Sequence, residues 1–375
     1  MPGRNAARAA EFPFADDLGP ARVMHLYEPA LDLRAVLVID NVARGPAIGG
    51  VRMGTQVSTE EAFRLARAMT LKNSAAGLRH GGGKSVIFAD PSMPLDQKEQ
   101  VIRAFARMIE RDVDYIPGPD MGTNEQAMAW VHDEIGRAAG LPAALGGIPL
   151  DEIGATGFGV RAAVDVAAEH LGIPIEGARV AVQGFGAVGR HAARFLAERG
   201  AILVAAADSR GMTANPAGLD IEALSAHKVG GAGVAQFEGG TAGEADAIID
   251  VECEIWIPAA QPDVIHAGNV DRLQARIVAQ GANIPATAEA EARLHKRGVL
   301  VIPDFIANAG GVISAAVEYR GGTETEAFLT IDECIRDNTA EVLRDATEAN
   351  ITPRAAALAL AERRVREAMT YRRWS

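Results

Sequence analysis

Lys84 is the residue whose setting first suggests chemistry. It stands between Gly81-Gly82-Gly83 and the apolar run Ser85-Val86-Ile87-Phe88-Ala89, and such a run reads as a strand buried on both faces. An ammonium led into a buried strand is poorly solvated, which favours its neutral form. Lys72 lies twelve positions upstream, and Asp120 sits in the Pro/Gly-marked turn "IPGPDMGT". Two amines and a carboxylate can divide proton transfer and anion binding between them. A lysine with a lowered pKa accepts a proton near neutral pH, while one that keeps its charge clamps a carboxylate. Arginine cannot take the first role, because its pKa is too high. Only five lysines occur among 37 basic residues, a bias that arginine-rich codon usage explains. Taken singly, each residue also has a plainer reading. Lys72 would be a snorkelling lysine at a helix C-terminus, and Asp120 would be turn chemistry.

A second pattern lies further on. Gly184-Phe185-Gly186-Ala187-Val188-Gly189 follows the strand candidate "RVAVQ" and opens an amphipathic helix. The glycines allow a tight turn, close approach to a pyrophosphate and close helix–strand packing, with backbone N–H groups at the helix start facing the phosphates. Asp208 closes the next strand candidate, nineteen residues past Gly189. With strand, helix and acid all in place, the pattern reads as dinucleotide binding. Asp208 is expected to bond the adenosine ribose hydroxyls, which favours NAD. Ser209 and Arg210 follow it and could instead hold a 2′-phosphate, so NADP is not excluded. A nicotinamide cofactor supplies hydride chemistry, and the rest of the chain must then bind substrate and move protons.

The elements that would position these groups can be read around them. "LRAVLVIDN" is a strand candidate. "STEEAFRLARAMTLKNSAAG" opens with a Ser58–Glu61 capping box and carries an inward stripe of Ala62, Leu65, Ala66 and Met69 that ends at Lys72. Thr123 and Gln126 are a second candidate box, ahead of the helix in "EQAMAWVHDEIGR". From about residue 151 the texture changes. "RVAVQ", "ILVAAAD", "AIID", "EIWIPAA", "RIVAQ" and "VLVIP" alternate with helical stretches, the signature of βαβ units and a parallel sheet. Thr352 and Pro353 read as N-cap and first residue of the last helix. The expected class is α/β with two domains: an N-terminal mixed α/β substrate domain over 1–148 and a Rossmann-type dinucleotide-binding domain over 149–330. C-terminal helices over 331–375 are expected to return to the first domain.

A chain of 375 residues, 48% hydrophobic and 23% charged, can bury two such cores. No apolar run reaches the length of a membrane span, and the first residues lack the apolar segment of a secretory signal. Cys253 and Cys334 have no metal-type spacing. The net charge of −12 argues against nucleic acid and anionic membranes as partners. A cytoplasmic enzyme without a metal site is expected.

Seven segments together, "MTLKN", "GLRHGGGKSVIFADP", "GPDMGT", "TGFGV", "VQGFGAVG", "GANIPAT" and "NAGGV", resemble the Glu/Leu/Phe/Val dehydrogenase superfamily, in the family's order over about residues 35–320. The resemblance implies NAD(P)-dependent oxidative deamination of an L-amino acid to a 2-oxo acid and ammonia, by a homo-oligomer whose partners are small molecules. It implies that Lys72 binds the substrate α-carboxylate with Met69 beside it, that Lys84 is the base activating water for attack on the imino intermediate, and that Asp120 shuttles protons to and from the amino nitrogen. Thr156 and Asn283 would contact the nicotinamide end of the cofactor, and Asn308 would lie near the reacting centre. Similar glutamate enzymes place a lysine where this chain has Ile48, and a serine where it has Ala315. A substrate γ-carboxylate would be left unpaired there, at a cost that packing does not recover. The pocket expected from Ile48, Gly118, Val312 and Ala315 is apolar, giving the order branched-chain, then phenylalanine, then glutamate. A non-catalytic NAD-sensing or scaffold protein would have lost one or more of the chemical residues, and none is missing; a hydroxy-acid or malate-type oxidoreductase does not account for the ordered set of motifs.

Overall fold

The computed structural model describes residues 14–373, so residues 1–13 of the stretch read for a secretory signal and Trp374 lie outside the described residues. The chain divides into two compact units. Unit 1 comprises 1–149, 315–323 and 360–375; unit 2 comprises 150–314 and 324–359.

In unit 1 the strands β1 (Arg22–Glu28), β2 (Leu33–Asn41), β3 (Ala47–Gly54), β4 (Gly81–Phe88) and β5 (Tyr115–Pro119) form one sheet in the order β1-β2-β4-β3-β5. β2 runs antiparallel to β1 and β4, whereas β3 is parallel to β4 and β5. Helices α1 (Thr59–Ala75), α2 (Leu95–Met108) and α3 (Glu125–Ile135) belong to the same unit. One sheet face packs Leu37, Ile39, Met53 and Ile87 with Phe105 of α2 and Met128 of α3. On the other, Val36, Val38 and Val86 meet Ala62 and Ala66 of α1. Burial on both faces explains why "LRAVLVIDN" lacks alternation.

β4 begins at Gly81, four residues before the apolar run expected to start it. Glycine weakens a strand, but here close neighbours require it. A Cβ on Gly82 would lie 2.0 Å from the Thr70 nitrogen, and one on Gly81 would lie 1.7 Å from the Asn41 oxygen. Two capping expectations are corrected. Ser58 does accept from the Glu61 N–H, but the Glu61 carboxylate binds Arg52 instead of returning to the cap. Asn124, not Thr123, caps α3, because the Thr123 hydroxyl accepts from Asp120 N–H and donates to the Val51 carbonyl.

In unit 2, strands β6 (Arg179–Gln183), β7 (Ile202–Asp208), β8 (Gly211–Ala214), β9 (Thr241–Gly243), β10 (Ile255–Pro258), β11 (Ile277–Ala279) and β12 (Leu300–Ile302) order as β12-β11-β10-β6-β7-β8-β9. The five strands from β12 to β7 are parallel, while β8 and β9 add an antiparallel edge. "AIID" is corrected from strand to a 3-10 turn over Ala245–Asp250; its two isoleucines anchor one side of the core, where a turn suffices. The helices of eight residues or more continue as α4 (Ala155–Leu171), α5 (Ala187–Ala197), α6 (Ile221–Val229), α7 (Ala288–Lys296), α8 (Gly310–Tyr319), α9 (Glu324–Ala349) and α10 (Pro353–Met369).

The described units differ from the expected boundaries in the C-terminal part. α9 packs in unit 2, with the Phe328 ring 4.7 Å from Phe158 of α4 and Arg161 bridging to Asp332 at 3.0 Å. Of α10, residues up to Ala359 belong to unit 2 and those from Leu360 to unit 1. Thr352 caps it, accepting from Ala355 N–H at 3.2 Å.

Candidate active site

In unit 1 the groups gather where β3, β4 and β5 run side by side. Lys84 pairs with Val38 across β2, so its side chain shares the α1 face of the sheet. Only 6% of that side chain is exposed, and its Nζ contacts the Asp120 carboxylate directly. Asp120 follows β5 immediately and is held from three sides. Beyond Lys84, its Oδ1 accepts from Arg52 Nη2 at 3.1 Å and from the Met121 N–H at 2.6 Å. Arg52 reaches Glu61 with its other terminal nitrogen, and its buried Nε has no hydrogen-bond partner. Burial pushes the Lys84 ammonium down from 10.5 to about 7; the charge of Arg52 acts the same way, Glu61 opposes it, and Lys72 adds to it. A lysine so placed loses its proton near neutral pH.

Lys72 stands in the last turn of α1, where the helix dipole favours a cation, and its charge is felt at Lys84. Asn73 is fully buried and ties that turn to the sheet, donating to the Gly81 carbonyl at 2.6 Å. Met69 is half-buried one turn before Lys72. Ile48 is buried on β3 between Gly82 of β4 and Ile116 of β5. At Gly118 an added Cβ would meet only the Ala139 carbonyl, at 3.9 Å, so the position has room. With Lys84 protonated, Lys84, Lys72 and Arg52 against Asp120 and Glu61 leave one net positive charge; once Lys84 gives up its proton, Lys72 and Arg52 balance the two carboxylates.

Sequence reading missed two parts of this cluster. Arg52 carries no local signal, since its role comes from a partner 68 residues away. Gly50 is the other: a Cβ there would lie 2.8 Å from Asp120 Cβ and 3.0 Å from Asp120 Oδ2. A second glycine in "IGGVR", where one would serve the strand, was the available sign.

In unit 2 the glycine-rich turn has the shape a pyrophosphate needs. Gly184 turns with φ +98°. A Cβ on Gly189 would strike the Gly184 carbonyl at 2.1 Å, and one on Gly186 would meet nothing within 4 Å. The open space at Gly186, at the start of α5, fits a phosphate approaching the helix N-terminus. Ala187 is exposed there and Val188 half-buried, but the Phe185 side chain is fully buried, so only its backbone can serve a cofactor.

At the end of β7, Asp208 accepts from the Arg210 N–H at 2.8 Å, from the Val234 N–H at 3.2 Å and from Lys228 Nζ. Burial raises its pKa, but the bonds from Lys228 and the two N–H groups outweigh this and hold the carboxyl below its usual range. Ser209 is exposed, and Arg210 turns its guanidinium to the Gly231 carbonyl. Lys228 adds a cation beside Asp208 that sequence reading did not foresee.

The remaining motif residues of unit 2 come together. Thr156 Oγ1 lies within contact of Gly311, where an added Cβ would meet it at 3.2 Å. Asn308 is buried and spends its amide on the loop after β11, donating to the Gly281 carbonyl at 3.3 Å, to Ala282 at 3.4 Å and to Asn283 Oδ1 at 3.1 Å. These bonds tie Asn308 to that loop and to Asn283. Gly281 backs onto Val188 of the glycine-rich turn, an added Cβ meeting Val188 at 3.1 Å. Val312 is half-buried on α8 in unit 2; Ala315, on the same helix, belongs to unit 1. Among the described residues there is no cluster able to hold a metal and no helix long and apolar enough to cross a membrane.

Comparison with known proteins agrees with both halves. Residues 146–373 match the model described as "Glutamate/Leucine/Phenylalanine/Valine dehydrogenase", and residues 28–137 match "Glu/Leu/Phe/Val dehydrogenase, dimerisation domain". A glutamate dehydrogenase of Aeropyrum pernix is 39% identical over 359 residues, covering 89% of this chain and 85% of that protein. The hetero-hexameric glutamate dehydrogenase of Thermus thermophilus, solved in a Leu-bound form, superposes with a TM-score of 0.81 at 30% identity, over 93% of this chain and 89% of its own. The L-tryptophan dehydrogenase of Nostoc punctiforme does so with a TM-score of 0.76 at 26% identity, over 97% and 99%. The chain belongs to the Glu/Leu/Phe/Val dehydrogenase family and is an NAD(P)-dependent amino acid dehydrogenase.

Proposed function

We propose that this enzyme oxidatively deaminates an apolar L-amino acid, with branched-chain substrates preferred, aromatic ones second and glutamate third. The observation that carries the substrate choice is Ile48, buried on β3 between Gly82 and Ile116. A glutamate side chain laid against it would bury a carboxylate without a cation, which costs several kcal/mol, on the order of 3–5. An apolar side chain instead gains about 25 cal/mol for each Å² it buries. The room at Gly118 supports an aromatic second choice, as does the likeness to a tryptophan dehydrogenase.

In this reading Lys72 holds the α-carboxylate, and NAD, when bound, would supply the acceptor for the Cα hydride. Neutral Lys84 takes a proton from the water that attacks the resulting imine carbon. Asp120, having taken a proton from the substrate ammonium before the hydride leaves, returns it to the amino nitrogen; the C–N bond then breaks, ammonia departs, and Asp120 accepts the hydroxyl proton as the 2-oxo acid forms. Arg52 keeps Asp120 oriented and keeps Lys84 acidic. Thr156 and Asn283 serve the nicotinamide end, and Asp208 the adenosine ribose. The match of residues 28–137 to a dimerisation domain supports a homo-oligomer.

The test is a panel of L-amino acids with NAD and with NADP, followed by absorbance of the reduced cofactor. The reading expects leucine or valine to give the highest kcat/KM, and Ile48→Lys to move activity toward glutamate. Glutamate as the best substrate of the unaltered enzyme would refute it.

A further inference from the structure

Ile284 is a β-branched residue with φ +48° and an exposed side chain. That region of backbone space is unfavourable for such a residue, and it persists only where the surroundings over-determine it. Ile284 follows Asn283 directly, so whatever fixes its backbone also fixes Asn283. Its N–H donates to Asp304 Oδ2 at 2.9 Å, and its carbonyl accepts from the Asp263 N–H at 2.9 Å.

Asp304 belongs to a buried polar network that the cofactor motifs do not include. Its own N–H donates to Gln280 Oε1 at 3.0 Å, and Gln280 Nε2 donates to Glu291 Oε1 at 2.7 Å. Gln280, Glu291 and Asp304 are all buried. One guanidinium ties them together. Arg354, in the first turn of α10, donates to Glu291 from Nε at 2.7 Å and from Nη2 at 2.8 Å, and from Nη2 to Gln280 at 2.7 Å. Its Nη2 also lies 2.9 Å from Asp304 Oδ1, but off the hydrogen-bonding direction, so the attraction there is one of charge. Two buried carboxylates share this cation, and removing it would leave both uncompensated.

We infer that Arg354 is a positioning residue for the nicotinamide half of the cofactor site. It holds Gln280 and Asp304, Asp304 holds the strained Ile284 backbone, and that backbone presents Asn283. The inference rests on the proposed contact between Asn283 and the nicotinamide end. It assigns a cofactor-binding task to a residue outside every cofactor motif, and it predicts that the adenosine half is indifferent to it, because Asp208 and Gly186 make no bond to this network.

The experiment titrates the full-length protein with NADH and with ADP-ribose, which lacks the nicotinamide, for the unaltered chain, Arg354→Met, Arg354→Lys and Asp304→Ala. Arg354→Met should weaken NADH binding by about ten-fold, the scale of a lost charged hydrogen bond, and leave ADP-ribose binding unchanged. Arg354→Lys, with one cationic arm in place of three donors, should fall between. Asp304→Ala, which keeps Arg354 paired with Glu291, should give the same split should Arg354→Met fail to fold. Equal weakening of both ligands, or of neither, would overturn the inference. Failure of the unaltered chain to bind either ligand would overturn the dinucleotide reading and this inference with it.

Discussion

Replacing Lys84 with methionine should separate stability from activity. The side chain is 6% exposed, and its pKa falls from 10.5 to about 7. Between those values the unfolded chain holds a proton that the folded chain has released, so native stability rises with pH across that window. Below pH 7 the fold carries the cost of a desolvated ammonium, at most about 5 kcal/mol for a shift of that size, reduced by the contact with Asp120. Methionine fills nearly the same volume without the charge, and Asp120 keeps Arg52 and the Met121 N–H as partners. The variant should therefore unfold at a higher temperature than the parent at pH 6, and the gain should shrink toward pH 10. Its kcat for deamination should fall by about 10³-fold, the usual worth of a general base, or about 4 kcal/mol of barrier. Calorimetric unfolding at both pH values and initial rates with the best substrate of the panel test this. Turnover within ten-fold of the parent would remove Lys84 from the chemistry, and a stability loss at pH 6 would show that its ammonium is well accommodated.

Two further outcomes follow from the same cluster. Arg52→Met takes away a cation that lowers the Lys84 pKa, so the acid limb of the pH–rate profile should move to higher pH by about one unit, with activity recovering toward pH 9; an unmoved limb would mean Arg52 acts only on Asp120. Gly50→Ala would press a methyl group on Asp120 Cβ and on the Pro119 carbonyl, and an ångström-scale displacement of Asp120 should cut kcat about 10²-fold with KM little changed; full activity would show that Asp120 need not hold this position.

Much of the framework was legible because local signals and tertiary demands agree. "LRAVLVIDN" is β2 residue for residue, and the glycine-rich turn with Asp208 lies where a strand–helix–strand unit requires. Thr352 and Pro353 start α10 as their residue types suggest. The failures come from groups claimed by distant partners. Thr123 is drawn from its cap by Asp120 and Val51, Glu61 by Arg52, and "AIID" buries its two isoleucines in the core as a 3-10 turn without joining the sheet. Lys84 and Asp120 could be named from spacing and resemblance, and the structure brings them into contact. Arg52, Lys228 and Arg354 could not be named in that way, since each is an ordinary polar residue whose meaning arises only from what the fold sets beside it.

With five lysines in the chain, the proton affinity of Lys84 itself can be measured. Brief labelling with an amine-reactive reagent over a range of pH, read by peptide mass spectrometry, gives its midpoint against the exposed Lys296 as internal standard. A midpoint near pH 7 is expected for Lys84 in the folded chain, moving to that of an ordinary lysine after denaturation. A folded-state midpoint near 10.5 would contradict a neutral Lys84 as the base of this enzyme.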